Sequence, residues 1–333
     1  MKPQSVVCCT FLGAMIMAIP LRADEPVKMN VAEIQAKHDR ALIRDLTEYL
    51  GQNPKADDRD QAYSNLFNKA IEHDWFSETE ATALAYLKAE PEGPVAPLAQ
   101  IVVTMARAQA GRFEEALDRF KDLMKGIGQA EQEEFASSFA ENFAGAAISA
   151  GEFHVARQVF ETLLSRFEES PNLKQKVQQE LARIDKVGKL APSFSTVDID
   201  GKAVRLDSFK GKYVLVDFWA TWCGPCIVEL PRLQRAYEKY HAAGLEIIAV
   251  SLDETRGAVA DFVKARKLPW PQVHNSSSNS DIVEAFGVAS IPANFLIDPE
   301  GNVIRLDLRG ASIEQALEKV FKGSKPLSAS ANP

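Results

Sequence analysis

Residues 213–219 read Tyr-Val-Leu-Val-Asp-Phe-Trp, apolar but for one carboxylate, and they run directly into Ala-Thr-Trp-Cys-Gly-Pro-Cys, ending at Cys226. A short β-branched and aromatic run bounded by turn residues has the pattern of a buried strand. Gly224-Pro225 then lets the chain turn tightly and presets φ for a first helical turn. The surroundings repeat this alternation. Residues 245–252 and 293–298 read as strands, while 227–241, 255–266 and 311–321 carry helical periodicity. Asp200-Gly201 and Pro299-Glu300-Gly301 read as hairpin turns. Strands alternating with helices of this length require an α/β sheet covered by helices.

The first half of the chain has a different character. Val31, Ile34, Leu42, Leu46, Tyr49 and Leu50 recur at helical spacing, as do Leu66, Phe67, Ala70 and Ile71. Pro54, Pro91, Pro94, Pro97 and Pro171 fall at the expected helix boundaries, and no β-rich run appears before residue 187. The segments at 110–123 and 150–163 share Ala-Gly-x-Phe-x-x-Ala-x-x-x-Phe-x-x-Leu. The glycine can end one helix, and the apolar set then lines one face of the next. The echo resembles tetratricopeptide-type helical hairpins, although its offset of 40 residues exceeds their usual period of about 34. An irregular helical bundle is the alternative.

With 333 residues there is material for two cores. The expected division is a signal peptide at 1–23, an all-α, TPR-like domain at 24–187, an α/β domain at 188–325 and a disordered tail at 326–333. Lys2, the apolar stretch from Val6 to Ile19 and the small residue Ala23 before Asp24 have the layout of a secretory signal peptide, so an exported, periplasmic protein is expected. An uncleaved membrane anchor is the alternative. A net charge of −8 argues against nucleic acid as partner, since no basic stripe is available to neutralise phosphates. The acidic excess lies in the helical half, where it is a solvated surface or a face that steers a basic partner.

Once residues 1–23 are removed, Cys223 and Cys226 are the only cysteines left. A structural disulfide of such short span restrains the unfolded chain little. A zinc site needs four ligands, and the five histidines, His38, His73, His154, His241 and His274, are scattered. Haem attachment needs histidine after the second cysteine, where Ile227 stands. A peroxidatic cysteine would carry Pro and Thr where Val216 and Ala220 stand. A redox dithiol is what the local pattern supplies. Cys223 at a helix N-terminus is favoured as thiolate and attacks a substrate disulfide, and Cys226, one turn on and expected to be the more buried, resolves the mixed disulfide. No cofactor is needed, because the dithiol itself carries both electrons.

The segment VLVDFWATWCGPC (214–226) resembles thioredoxin. Together with APSFSTVDIDGKAVRLDSFKGKY before it, and IIAVSLDE and FGVASIPANFLIDPEGNVI after it, the stretch from about 190 to 322 resembles the exported TlpA/ResA-like thiol–disulfide oxidoreductases of the thioredoxin-fold redoxin family. The resemblance implies further roles. Pro292 matches the cis-proline facing the cysteines, and Ile291 before it would present its backbone to an incoming peptide. Asp217 matches the buried carboxylate of thioredoxin, a proton carrier for Cys226. Glu229, three residues after Cys226 and on its helical face, matches a glutamate of the TlpA/ResA group. Trp219 and Trp222 would cover the site, Trp219 as packing and Trp222 as a flat contact. Trp222, Gly224, Pro225, Ile291 and Pro292 are thus the expected substrate-facing set.

The implied activity is reduction of disulfides in other exported proteins, apocytochromes among the candidate clients, with a membrane thiol relay as electron donor. The Gly-Pro between the cysteines and the carboxylate at 217 are the thioredoxin combination, which belongs to a poise of about −270 mV. The alternatives are a thiol oxidant or isomerase, and a partner-binding helical scaffold with a passenger thioredoxin fold.

Overall fold

The first helix, α1 (Val31–Gln52), starts where its cap dictates. The Asn30 side chain accepts from the Glu33 N–H, and the Glu33 carboxylate accepts in return from the Asn30 N–H, each at 2.9 Å. Seven further α-helices follow in this computed structural model, which describes residues 30–277 and 282–323. They are α2 (Arg59–Glu72), α3 (Phe76–Ala89), α4 (Ala96–Gln109), α5 (Phe113–Lys125), α6 (Glu133–Ala150), α7 (Phe153–Arg166) and α8 (Pro171–Ile184). The expected leader at 1–23 and tail at 326–333 lie outside the described residues. Among the described residues no helix is long and apolar enough to cross a membrane.

The repeated sequence segments occupy equivalent places. Gly111 and Gly151 adopt φ of +74° and +89°, the left-handed conformation that lets α4 and α6 end and the chain turn back. The helices that follow, α5 and α7, bury Ala116 and Phe120 on one and Ala156, Phe160 and Leu163 on the other. Phe120 meets Phe139 and Phe143 of α6 with ring centroids 5.3 and 5.8 Å apart.

The α/β region opens with a hairpin of β1 (Ser195–Val197) and β2 (Ala203–Arg205), turned at Asp200-Gly201 as expected. The Asp198 carboxylate holds that turn by accepting from the Asp200 and Lys202 N–H groups. The main sheet has the order β5-β4-β3-β6-β7. It contains β3 (Tyr213–Trp219), β4 (Leu245–Ser251), β5 (Gln272–His274), β6 (Ala293–Ile297) and β7 (Val303–Leu306). β3 pairs in parallel with β4 and antiparallel with β6, and so occupies the centre. The remaining helices are α9 (Gly224–Tyr240), α10 (Arg256–Arg266), α11 (Ile282–Phe286) and α12 (Ala311–Gly323). The long strands and helices coincide with the periodic runs in the sequence. β1, β2, β5, β7 and α11 do not, because three to five residues are too few to show a period.

The strand period of two decides which core each β3 residue joins. Val214, Val216 and Phe218 point to the face shared with Ile248, Val250, Phe286 and Phe295, which is continuous with the core of the helical half. Leu215 and Trp219 point the other way, into a cluster with α9 and α12. Asp217, between them in the alternation, shares this second face. The helical half therefore backs the side of the sheet opposite the cysteines, with Arg183 of α8 lying 5.8 Å from the Phe295 ring centroid.

Candidate active site

Cys223 is the N-cap of α9, and its Sγ accepts the Cys226 N–H at 3.3 Å. The two cysteines form a disulfide across Cα atoms 5.3 Å apart. No acidic side chain occupies the first turn of α9, so nothing within that turn opposes the field that favours a thiolate there. The expected difference in burial between the cysteines is absent: Cys223 is 5% exposed and Cys226 4%. With the sulfurs joined, both sit against the Leu215–Trp219 face of the sheet. What separates them is position, Cys223 at the helix cap and Cys226 inside the first turn. Gly224 and Pro225 are exposed beside them.

Asp217 lies on the same face of β3 as Leu215 and Trp219, in register with Ala249 of β4 and Asn294 of β6. Burial pushes its carboxyl up to about 7, the Arg309 guanidinium pulls it down, and the neighbouring Glu229 charge pushes it up again. A carboxyl of that affinity exchanges protons at neutral pH. Glu229 Oε1 accepts from the Gly310 N–H at 3.0 Å, while Oε2 is buried without a hydrogen-bond partner among the described residues. Its carboxylate thus turns inward toward the loop after β7.

The remaining expected residues fall as follows. The Ile291–Pro292 peptide is cis, and both residues are half-buried at the start of β6. Trp222 is 65% exposed, a large flat apolar face beside the disulfide. Trp219 is buried against Phe262, ring centroids 5.4 Å apart, and serves packing.

Two contributors have no motif to announce them. Arg309 donates through Nη2 to the Pro292 carbonyl and through Nη1 to the Leu308 carbonyl. It is a lone arginine in a loop, and only the return of β7 beside β6 brings it to the site. Asp253 accepts from the Thr221 N–H and hydroxyl and from the Ser251 hydroxyl, holding the turn just before Trp222 to the end of β4. Replacing Asp253 with Ala would leave the buried Ser251 hydroxyl and the half-buried Thr221 donors without this partner, and urea unfolding should show a loss of about 3 kcal/mol.

Residues 187–306 match the model of the AhpC/TSA family. The chain is 41% identical over 140 residues to a protein named thiol-disulfide oxidoreductase ResA from Bacillus thuringiensis subsp. konkukian, covering 42% of this chain and 79% of that one. It is 34% identical over 139 residues to the ResA of Bacillus subtilis strain 168, covering 42% and 76%. Among solved structures, the thioredoxin domain of a thiol-disulfide oxidoreductase from Bacteroides vulgatus aligns at 33% identity with a TM-score of 0.38, covering 40% of this chain and 97% of that one. The C-terminal region carries the thioredoxin-like α/β fold, and it holds a cysteine pair at disulfide distance at the end of the central strand. The chain belongs to the ResA-like thiol–disulfide oxidoreductases.

Proposed function

We propose that this enzyme works as a reductant of disulfides in exported proteins. In the reduced state the Cys223 thiolate attacks one sulfur of a client disulfide and expels the other as a thiolate, leaving a mixed disulfide. Asp217 takes the proton of Cys226, and the resulting thiolate attacks Cys223 Sγ. The client leaves with two electrons as a dithiol, and the enzyme is left with the Cys223–Cys226 disulfide. A thiol donor upstream, at the membrane, must then return two electrons for the next cycle. Trp222 and the backbone at Ile291 receive the client chain, Ile291 as a strand partner.

The observation that carries the direction is the pair of carboxyls, Asp217 and Glu229, turned toward the interior beside the cysteines. Negative charge there disfavours a thiolate and so destabilises the reduced form. Strong thiol oxidants have the opposite arrangement, a stabilised reduced form. The test is equilibration of Cys223–Cys226 against defined thiol buffers. A potential near or below about −250 mV is expected. A value of about −120 to −180 mV would instead make the protein an oxidant or isomerase.

A further inference from the structure

The segment from Arg305 to Ser312 carries two groups of the redox site, Arg309 and the Gly310 N–H that binds Glu229. The helical half grips the same segment at three points. Arg183 of α8, 7% exposed, reaches across and donates through Nη2 to Asp307 Oδ2 at 2.5 Å, while its Nη1 donates to Glu180 at 2.8 Å. The Ser149 hydroxyl of α6 lies 2.7 Å from that of Ser312, which accepts from the Arg309 N–H at 2.8 Å. Gly151 lies against the Arg305 guanidinium so closely that a Cβ there would come within 3.2 Å of Arg305 Nε.

Asp307 is the junction. Its backbone is in the left-handed region at φ +46°, and its Oδ1 accepts from the Asn294 N–H at 3.3 Å. The same Oδ1 stands 3.8 Å from Arg309 Nη2, the nitrogen that donates to the Pro292 carbonyl. One guanidinium nitrogen thus lies between a carboxylate that attracts it and a carbonyl of the substrate-facing loop. Which of the two prevails depends on how far Asp307 is neutralised from its other side, and Arg183 does that.

We propose that Arg183 is a positioning residue for the redox site: by occupying the Asp307 carboxylate it leaves Arg309 to hold the Pro292 carbonyl and to face Asp217, so that the helical half sets the state of the catalytic loop from the back of the sheet. Without Arg183, Asp307 draws Arg309 toward itself. The loop at Ile291-Pro292 then loses a donor, and Asp217 loses the cation that opposes its burial. The groups facing Asp217 are Glu229 from α9, Asn294 from β6 and Arg309 from the loop after β7. Of these, Arg309 is the cation that shares the Asp307 carboxylate with Arg183.

The test uses the full chain and three proteins: wild type, Arg183→Met, and Arg183→Met combined with Asp307→Asn. Folding is checked by circular dichroism and a thermal melt. Two quantities are then measured, the pH midpoint of the Cys226-dependent step with a chromogenic aromatic disulfide, and the KM for glutathione disulfide. The pH readout rests on Asp217 as the proton carrier; the KM readout does not. Arg183→Met should raise the midpoint by about half a unit, roughly threefold in proton affinity, and should raise KM. The double variant should return both toward wild type, because no carboxylate then competes for Arg309. A purely structural role predicts the reverse order, with the double variant the more damaged. If Arg183→Met does not fold, Arg183→Lys keeps a cation in the interface but cannot fork to both carboxylates, and it should show smaller shifts in the same direction. Wild-type midpoint and KM in a folded single variant, or no recovery in the double variant, would overturn the proposal.

Discussion

Replacing Asp217 with Asn is expected to make the protein more stable at pH 8 and a poorer enzyme. The carboxyl ionises near 3.8 in an unfolded chain, and burial raises it to about 7 in the folded one. A raised acid means that the folded state binds the proton more tightly, so stability is highest when the group is protonated in both states, below pH 4. It declines as pH rises toward 7 and levels off above that, where both states are ionised. Over the whole window the penalty is on the order of 4 kcal/mol. Asparagine removes the charge but buries an amide whose donors need partners, so the net gain at pH 8 should fall somewhat short of that figure. Urea melts of the two proteins at pH 4 and pH 8 measure it: the gap should be wide at pH 8 and nearly closed at pH 4. A gap independent of pH would show that Asp217 is not held protonated by burial. The same substitution removes the proposed proton acceptor for Cys226, and decay of the mixed disulfide should then lose its midpoint near neutrality.

Separating the two cysteines gives the other large effect. Cys223→Ser should reduce exchange to the level of buffer, because no thiolate remains at the helix cap. Cys226→Ser should still attack but not resolve, and a covalent adduct with a disulfide-bearing protein should accumulate that survives denaturation and is released by reductant. Since the two cysteines are almost equally buried in the disulfide form, the prediction rests on position: Cys223 is the N-cap of α9 and Cys226 lies within the first turn. Adducts forming with the Cys223→Ser protein instead would reverse the roles. Because mass spectrometry of the trapped adduct identifies the client, the experiment also bears on the proposal that the enzyme serves exported proteins.

Much of this site was legible before any coordinates. The apolar run at 213–219 and the Gly-Pro after Cys223 are local instructions, and they determine a buried strand, a tight turn and a helix start regardless of what packs around them. The same holds for the glycines that end α4 and α6. These features depend on backbone sterics and on partners three or four residues away, which a sequence displays directly. Asp217 was marked by the resemblance to thioredoxin, whose buried carboxylate it matches. What it does there was not visible, since a pKa depends on every group within several ångströms. Arg309 arrives from 92 positions further along the chain, carried by an antiparallel strand whose register no local pattern reveals. Arg183 comes from the other side of the sheet, out of a helix whose periodicity says only that one face is buried. By itself the sequence determined the secondary structure of the long elements, the cysteine chemistry and the place of the buried carboxylate. Only the tertiary structure decided which charges surround that carboxylate, because electrostatic partners are chosen by proximity in space and not by spacing along the chain.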